Sequence, residues 1–378
     1  QILPERFNPT PVWQYSEALP GPEIRIRQGD LLRVSVENQL DEETTVHWHG
    51  VRTPNAMDGV PDLTQRPVGP GETFVYEFVA PDAGTFWYHP HQRSFEQVGR
   101  GLYGPLIIEE AEPITVDRDL TWVLDDWRLT GAGEISDDFG SPGDMAHGGR
   151  IGIAITINGR VPDPIEVRAG ERIRLRLINA ANARIFALDF AGHKPLVIAL
   201  DGQPITPHAP KDGLVVLGPA MRADLIIDMT SSAGSRLPVI DRAYTNQEYL
   251  LIDFEYGSDA LRAGVPDWAI ELAPNPLPEP DMTSAVRHEV TFSGGMMGQM
   301  VLNEMGLTDP VESSGDMMNM MGENRMWFVN GQAASGHVMD PFLTLELGRT
   351  YILTLTNATA WFHPIHLHGH SFQVLTRD

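Results

Sequence analysis

The chain contains no cysteine. Disulfides, thiolate metal sites and cysteine nucleophiles are therefore excluded within its 378 residues. Positive charge is scarce, with 27 Lys and Arg against 51 Asp and Glu, a formal net charge of −24. Nucleic acid requires a basic footprint, so it is excluded as a partner. The acidic balance favours solubility and attracts cations. No apolar run is long enough to cross a bilayer, and no membrane partner is expected. The first residue is Gln1, a start left either by a removed export signal or by a sequence that begins inside the protein.

Gly (36) and Pro (30) are abundant, above average usage, and they are spread among short β-branched runs. That pattern predicts many turns and an all-β fold. The length predicts two or three domains.

The strongest organisational signal is an internal repeat. "QGDLLRVSVEN" (28–38), "AGERIRLRLIN" (169–179) and "LGRTYILTLTN" (347–357) share one template. A glycine at 29, 170 or 348 is followed nine residues later by Asn38, Asn179 or Asn357. Between them apolar residues alternate: Leu32, Val34 and Val36; Ile173, Leu175 and Leu177; Tyr351, Leu353 and Leu355. Period-two alternation after a glycine turn describes a half-buried β-strand. Three copies in one register indicate duplication, each copy serving its own β-sandwich. The expected domains are residues 1–112, 113–262 and 263–378, with "LAPNPLPEP" (272–280) as a proline-rich linker.

Counting on from the repeat asparagines gives the functional signal. Nine and eleven residues after Asn38 lie His47 and His49, in "HWHG"; the same offsets from Asn357 reach His366 and His368, in "HLHG". From Asn179 they reach Leu188 and Phe190. A third pair, His89 and His91, stands in "GTFWYHPHQ". On a strand, positions i and i+2 share a face, so each His-x-His aims two imidazoles to one side. A lone pair is ordinarily surface or core filler; three pairs, two in matched register, point to metal ligands. Imidazole suits Cu, Zn and Fe. Six histidines exceed the needs of one zinc ion, and a multinuclear copper cluster at a domain interface fits the count better.

"HWHG", "WYHPH" and "HPIHLHGH" together resemble three of the four copper motifs of the multicopper oxidases, the family of laccases, ascorbate oxidase and bacterial cuprous oxidases. The resemblance implies three cupredoxin-like Greek-key β-sandwich domains, the third incomplete in this chain. It implies type 1, type 2 and binuclear type 3 copper, with His47 and His366 on type 2. His49 and His89 then serve one type 3 ion, His91 and His368 the other, and His363 the type 1 ion. Asp58, in "NAMDG", matches a carboxylate tied to proton delivery to oxygen; a turn aspartate before glycine is the other reading. The family's His-Cys-His motif is absent, and the sequence stops at Asp378 in what reads as mid-strand. A further C-terminal segment of the same protein is the expected partner. The implied reaction couples one-electron oxidation of phenols or Cu(I) to reduction of O2 to water, in a periplasmic or secreted protein with a role in copper tolerance. An inactive copper-binding or structural relative of the same fold is the alternative.

Nine of the 15 methionines fall between Met296 and Met326. Their thioethers favour Cu(I), and they also serve as adaptable apolar filler. The segment resembles the methionine-rich insert of cuprous oxidases, with Met317, Met318, Met320 and Met321 as the expected substrate contacts. His147, His193, His208, His288, His337 and His370 are read as structural.

Overall fold

The computed structural model describes residues 9–307, 326–333 and 341–377. Met317, Met318, Met320, Met321 and His337 lie outside them. Two compact units emerge: the first comprises residues 1–137, 151–276 and 366–378, the second 138–150 and 277–365.

In the first unit, Leu31–Glu37 pairs antiparallel with Thr73–Val79. Leu32, Tyr76 and Phe78 are buried while Leu31, Val75 and Val79 are exposed, the alternation of a strand covered on one face. A four-stranded sheet runs in the order Ile24–Arg27, Gly104–Glu109, Gly84–His89 and His47–His49. Trp48, Phe86, Tyr88 and Leu106 from this sheet join Tyr76 and Phe78 in one core. The Trp48 ring stands 5.6 Å from Tyr76, 5.4 Å from Phe78 and 5.9 Å from Tyr88. That packing fixes the facing of its neighbours: with Trp48 driven into the core, His47 and His49 must turn to the other side.

A six-stranded and a five-stranded sheet follow in the same unit, sharing a core that includes Ile173, Leu175, Leu177, Phe186, Leu188, Phe190 and Phe254. Leu188 and Phe190, which stand at the repeat positions occupied by histidine elsewhere, are thus core residues. The second repeat strand, Arg172–Asn179, departs from the half-buried expectation because every residue in it is buried. Its second face is charged and paired. Arg174 donates to Glu110 at 2.7 Å and to Asp224 at 2.7 Å, and Arg176 donates to Asp119 at 2.7 Å and to Thr85 at 3.0 Å. Asp224 also accepts from the Thr85 hydroxyl at 2.6 Å. Buried guanidinium groups need such partners, and Thr85 and Glu110 come from the first repeat's sandwich. Alternation in the sequence reads Arg as outward-facing, but here outward means against another sheet.

The second unit centres on Val286–Gly294, which pairs parallel with the third repeat strand, Tyr351–Ala358, and antiparallel with Trp327–Val329. Residues 362–377 belong to no strand or helix. The mid-strand reading of the terminus and the strand placement of His366 and His368 are therefore corrected. A strand exists only with a ladder partner, and this stretch has none among the described residues.

The repeat asparagines perform one task three times. The Asn38 amide donates to Glu42 O and Val68 O at 2.8 Å, and its Oδ1 accepts from Leu40 N at 3.0 Å. Asn179 donates to Arg184 O at 2.8 Å and Leu217 O at 3.0 Å, accepting from Ala181 N. Asn357 donates to Trp361 O at 2.6 Å and accepts from Thr359 N at 3.1 Å. Each closes the loop that leaves the repeat strand, an Asx turn extended by bonds to carbonyls farther on. Replacing the fully buried Asn179 by Ala leaves these three groups unpaired and is expected to cost at least about 3 kcal/mol, at roughly 1–3 per orphaned group. Urea unfolding midpoints of wild type and Asn179→Ala measure it.

Candidate metal centre

The first unit brings six of the seven predicted histidine ligands together, with Asp58. Antiparallel pairing of His47–His49 with Gly84–His89 sets His47 opposite His89 and His49 opposite Trp87. Directly opposed residues hold their Cβ atoms about 4.5–5.5 Å apart, so the ladder itself groups His47, His49 and His89. The strand stops at His89 because Pro90 has no N–H to continue it. His91, one residue past that proline, donates its backbone N–H to the Thr45 hydroxyl at 3.2 Å, and its ring lies 5.8 Å from that of His47.

His366 and His368 arrive from the irregular 362–377 stretch. The His366 ring stacks on His49 at 3.8 Å, and that of His368 sits 4.1 Å from His47 and 4.9 Å from His91. The ligand atoms of His47, His49 and His89 lie within 4.8 Å of one another, as do those of His47, His366 and His368. His47, His49 and His89 are buried.

Hydrogen bonds orient the rings. Nδ1–H of His47 donates to Asp58 O at 2.7 Å, that of His89 to Pro90 O at 2.8 Å, and that of His368 to Asp58 Oδ2 at 2.8 Å. With Nδ1 used as donor, Nε2 of each ring carries the lone pair; these tautomers follow from the bonding pattern. Nε2 of His47 then faces Nε2 of His366 at 3.3 Å, and Nδ1 of His49 faces Nε2 of His89 at 3.2 Å. Two nitrogens so close can share one cation at metal–nitrogen bonds of about 2.0–2.1 Å. The donor set is neutral imidazole with a single carboxylate, Asp58, beside it. That chemistry suits copper and does not suit calcium or magnesium, which take oxygen ligands.

Electrostatics keep the site in its ligating form. Burial lowers His49 and His89 well below the ordinary imidazole value and lowers His47, where the bond to Asp58 opposes it. Burial, with the neighbouring rings, brings His91 down to about 4 and His366 to about 3. Burial alone would raise Asp58, but hydrogen bonds from His368 and His47 outweigh it and hold the carboxyl well below its usual range. Its buried Oδ1 lies 3.3 Å from His47 Nδ1.

His363 lies in the second unit. Its Nε2 meets the Thr359 hydroxyl at 2.9 Å, and its ring stands 5.0 Å from Trp327 and 6.1 Å from Phe292. His193 bonds the Tyr256 hydroxyl at 2.9 Å, a structural role. Sequence reasoning missed Trp87, whose ring walls the centre at 4.2 Å from His89 and 5.2 Å from His49. Its position two residues before His89, on the same strand face, was the available signal.

Comparison with known proteins agrees with this chemistry. Profiles described as multicopper oxidase match residues 1–113, 118–235 and 308–378. Multicopper oxidase MmcO of Mycobacterium tuberculosis is 32% identical over 96% of this chain and 72% of its own length. Copper resistance protein A of Pseudomonas syringae is 31% identical over 57% of this chain, which spans 42% of that protein. A crystal structure of a multi-copper oxidase from Pseudomonas thermotolerans superposes with a TM-score of 0.81 at 36% identity, covering 95% of this chain and 79% of that one. The chain belongs to the multicopper oxidases, copper-dependent oxidoreductases built of cupredoxin-like β-sandwich domains.

The lowered histidine values give a pH signature. Between 6.5 and the folded values the unfolded chain binds more protons than the folded one. The metal-free protein is therefore expected to lose stability as pH falls from about 6.5 to about 4. Urea midpoints across that range measure the slope, and His91→Asn is expected to reduce it.

Proposed function

We propose that this chain carries the O2-reducing copper cluster of an oxidase that takes electrons one at a time from a phenol or from Cu(I). The observation that supports it is the convergence of His47, His49, His89, His91, His366 and His368, with the Nδ1–H groups of His47, His89 and His368 bonded outward. In this reading His47 and His366 hold type 2 copper. His49 and His89 hold one type 3 ion, and His91 and His368 the other. His363 is a type 1 ligand, and the type 1 thiolate is not among these 378 residues, which contain no cysteine. Bound copper supplies reversible one-electron steps that gather the four electrons needed to turn O2 into water.

The protein's own groups do the rest. Neutral imidazoles accept either copper oxidation state without adding charge. Asp58 orients His47 through its backbone carbonyl and His368 through its carboxylate, a bridging support of the kind that tunes ligand rings. Its Oδ1, 3.3 Å from His47 Nδ1, is the atom we assign to passing protons into the site. Trp87 covers the His49 and His89 rings and keeps water from that side. Three cupredoxin domains with the boundaries given above, a periplasmic or secreted location and a part in copper tolerance belong to the same proposal, supported by the relative named for copper resistance. Met317, Met318, Met320 and Met321 are its Cu(I) contacts.

Copper loading followed by oxygen-uptake measurement, with a phenol and separately with Cu(I), tests the reading. Uptake with either donor is expected once the segment carrying the type 1 thiolate is present, with a preference for Cu(I) that is lost when the four methionines become Leu. Copper binding with no oxygen consumed would instead favour a copper-binding protein without oxidase activity, the reading that the absence of cysteine suggests. Asp58→Ala is expected to weaken copper binding about 10- to 100-fold, read by competition with a chelator.

A further inference from the structure

Arg222 opens the strand Arg222–Asp228 and is 4% exposed. Its guanidinium is held by main-chain carbonyls: Nη1 donates to Ala220 O at 2.9 Å, Nη2 to Asp201 O at 2.9 Å and Nε to Thr85 O at 3.4 Å. Its carboxylate partner is Asp201, at 3.2 Å, whose side chain is 46% exposed. Asp224, the buried carboxylate on the same strand, is occupied by Arg174, Arg176 and Thr85. Among the described residues the charge of Arg222 is therefore paired in direct contact with a group facing solvent, and Asp224 adds a more distant countercharge.

That charge sits against the residue that follows a copper ligand. Gly50 directly follows His49, at a φ of +86°, and a Cβ there would run into the Arg222 guanidinium and the Phe86 ring. The close approach is possible only because residue 50 has no side chain. The His366 ring stacks on that of His49 at 3.8 Å, so the guanidinium's charge acts on both ligands.

We propose that Arg222 is a positioning residue for the cluster that acts by its charge, disfavouring Cu(II) more than Cu(I) and so raising the reduction potentials of the two copper ions held by His49 and by His366. A cation near a metal repels the doubly charged ion more than the singly charged one. A raised potential draws electrons toward the site where O2 is reduced. No arginine–copper contact is involved, since a guanidinium cation has no lone pair to offer a metal. The inference rests on the assignment of the histidine pairs to copper.

Chelator competition for Cu(II) and Cu(I), with potentiometry of the copper-loaded protein, provides the test. Arg222→Gln keeps donors for the carbonyls and removes the charge. It is expected to bind Cu(II) at least about tenfold more tightly, since a unit charge acting on a doubly charged ion at an effective dielectric near 20 is worth that much out to about 20 Å, to bind Cu(I) with a smaller gain, and to have a lower potential. Arg222→Lys is expected to stay near wild type. Asp201→Asn, at an exposed side chain, removes the countercharge and is expected to shift both quantities the opposite way, so the inference remains testable if Arg222→Gln does not fold. Wild type that binds copper, beside a folded Arg222→Gln or Asp201→Asn with unchanged affinity and potential, overturns the inference alone. Wild type that binds no copper overturns the copper assignment and the inference together.

Discussion

The structure depends on keeping several imidazoles uncharged and correctly turned in a place largely shut off from water. Burial penalises the protonated ring, and hydrogen bonds from Nδ1 to Asp58 and to the Pro90 carbonyl decide which nitrogen is left free. Neither effect is sufficient alone. A buried ring without an outward partner could present either nitrogen, and an exposed ring with a partner would be protonated in mild acid.

Scaffold and site are joined by few devices. Trp48 occupies the core side of a three-residue strand, so His47 and His49 have one direction left. The ladder then brings His89 opposite His47. The duplicated asparagine closes the loop that follows each repeat strand, in copies both with and without histidines. Where ligands are absent, Leu188 and Phe190 fill the core. The duplicated framework therefore tolerates either chemistry, and the side chains at two positions decide which.

Much of this was legible in the sequence. The repeat register, the histidine pairs and the glycine at each turn need only local information, because strand periodicity and φ > 0 are local properties. The Arg-rich face of the second repeat strand was misread: whether an outward arginine meets water or a carboxylate on another sheet depends on contacts distant in sequence, such as Arg174 with Glu110. Residues 362–377 were misread for a related reason, since a strand pattern specifies a strand only when a partner is present. Trp87 and Arg222 were passed over because neither belongs to a ligand motif; the ladder and the space left at Gly50 bring them to the site.

X-ray absorption at the copper edge of the loaded protein tests the central claim most directly. The account predicts a first shell of nitrogen at about 2.0 Å with the outer-shell scattering of imidazole, lost in stages as His47, His49 and His366 are replaced. A first shell dominated by sulfur or by carboxylate oxygen, unaffected by those replacements, would contradict it.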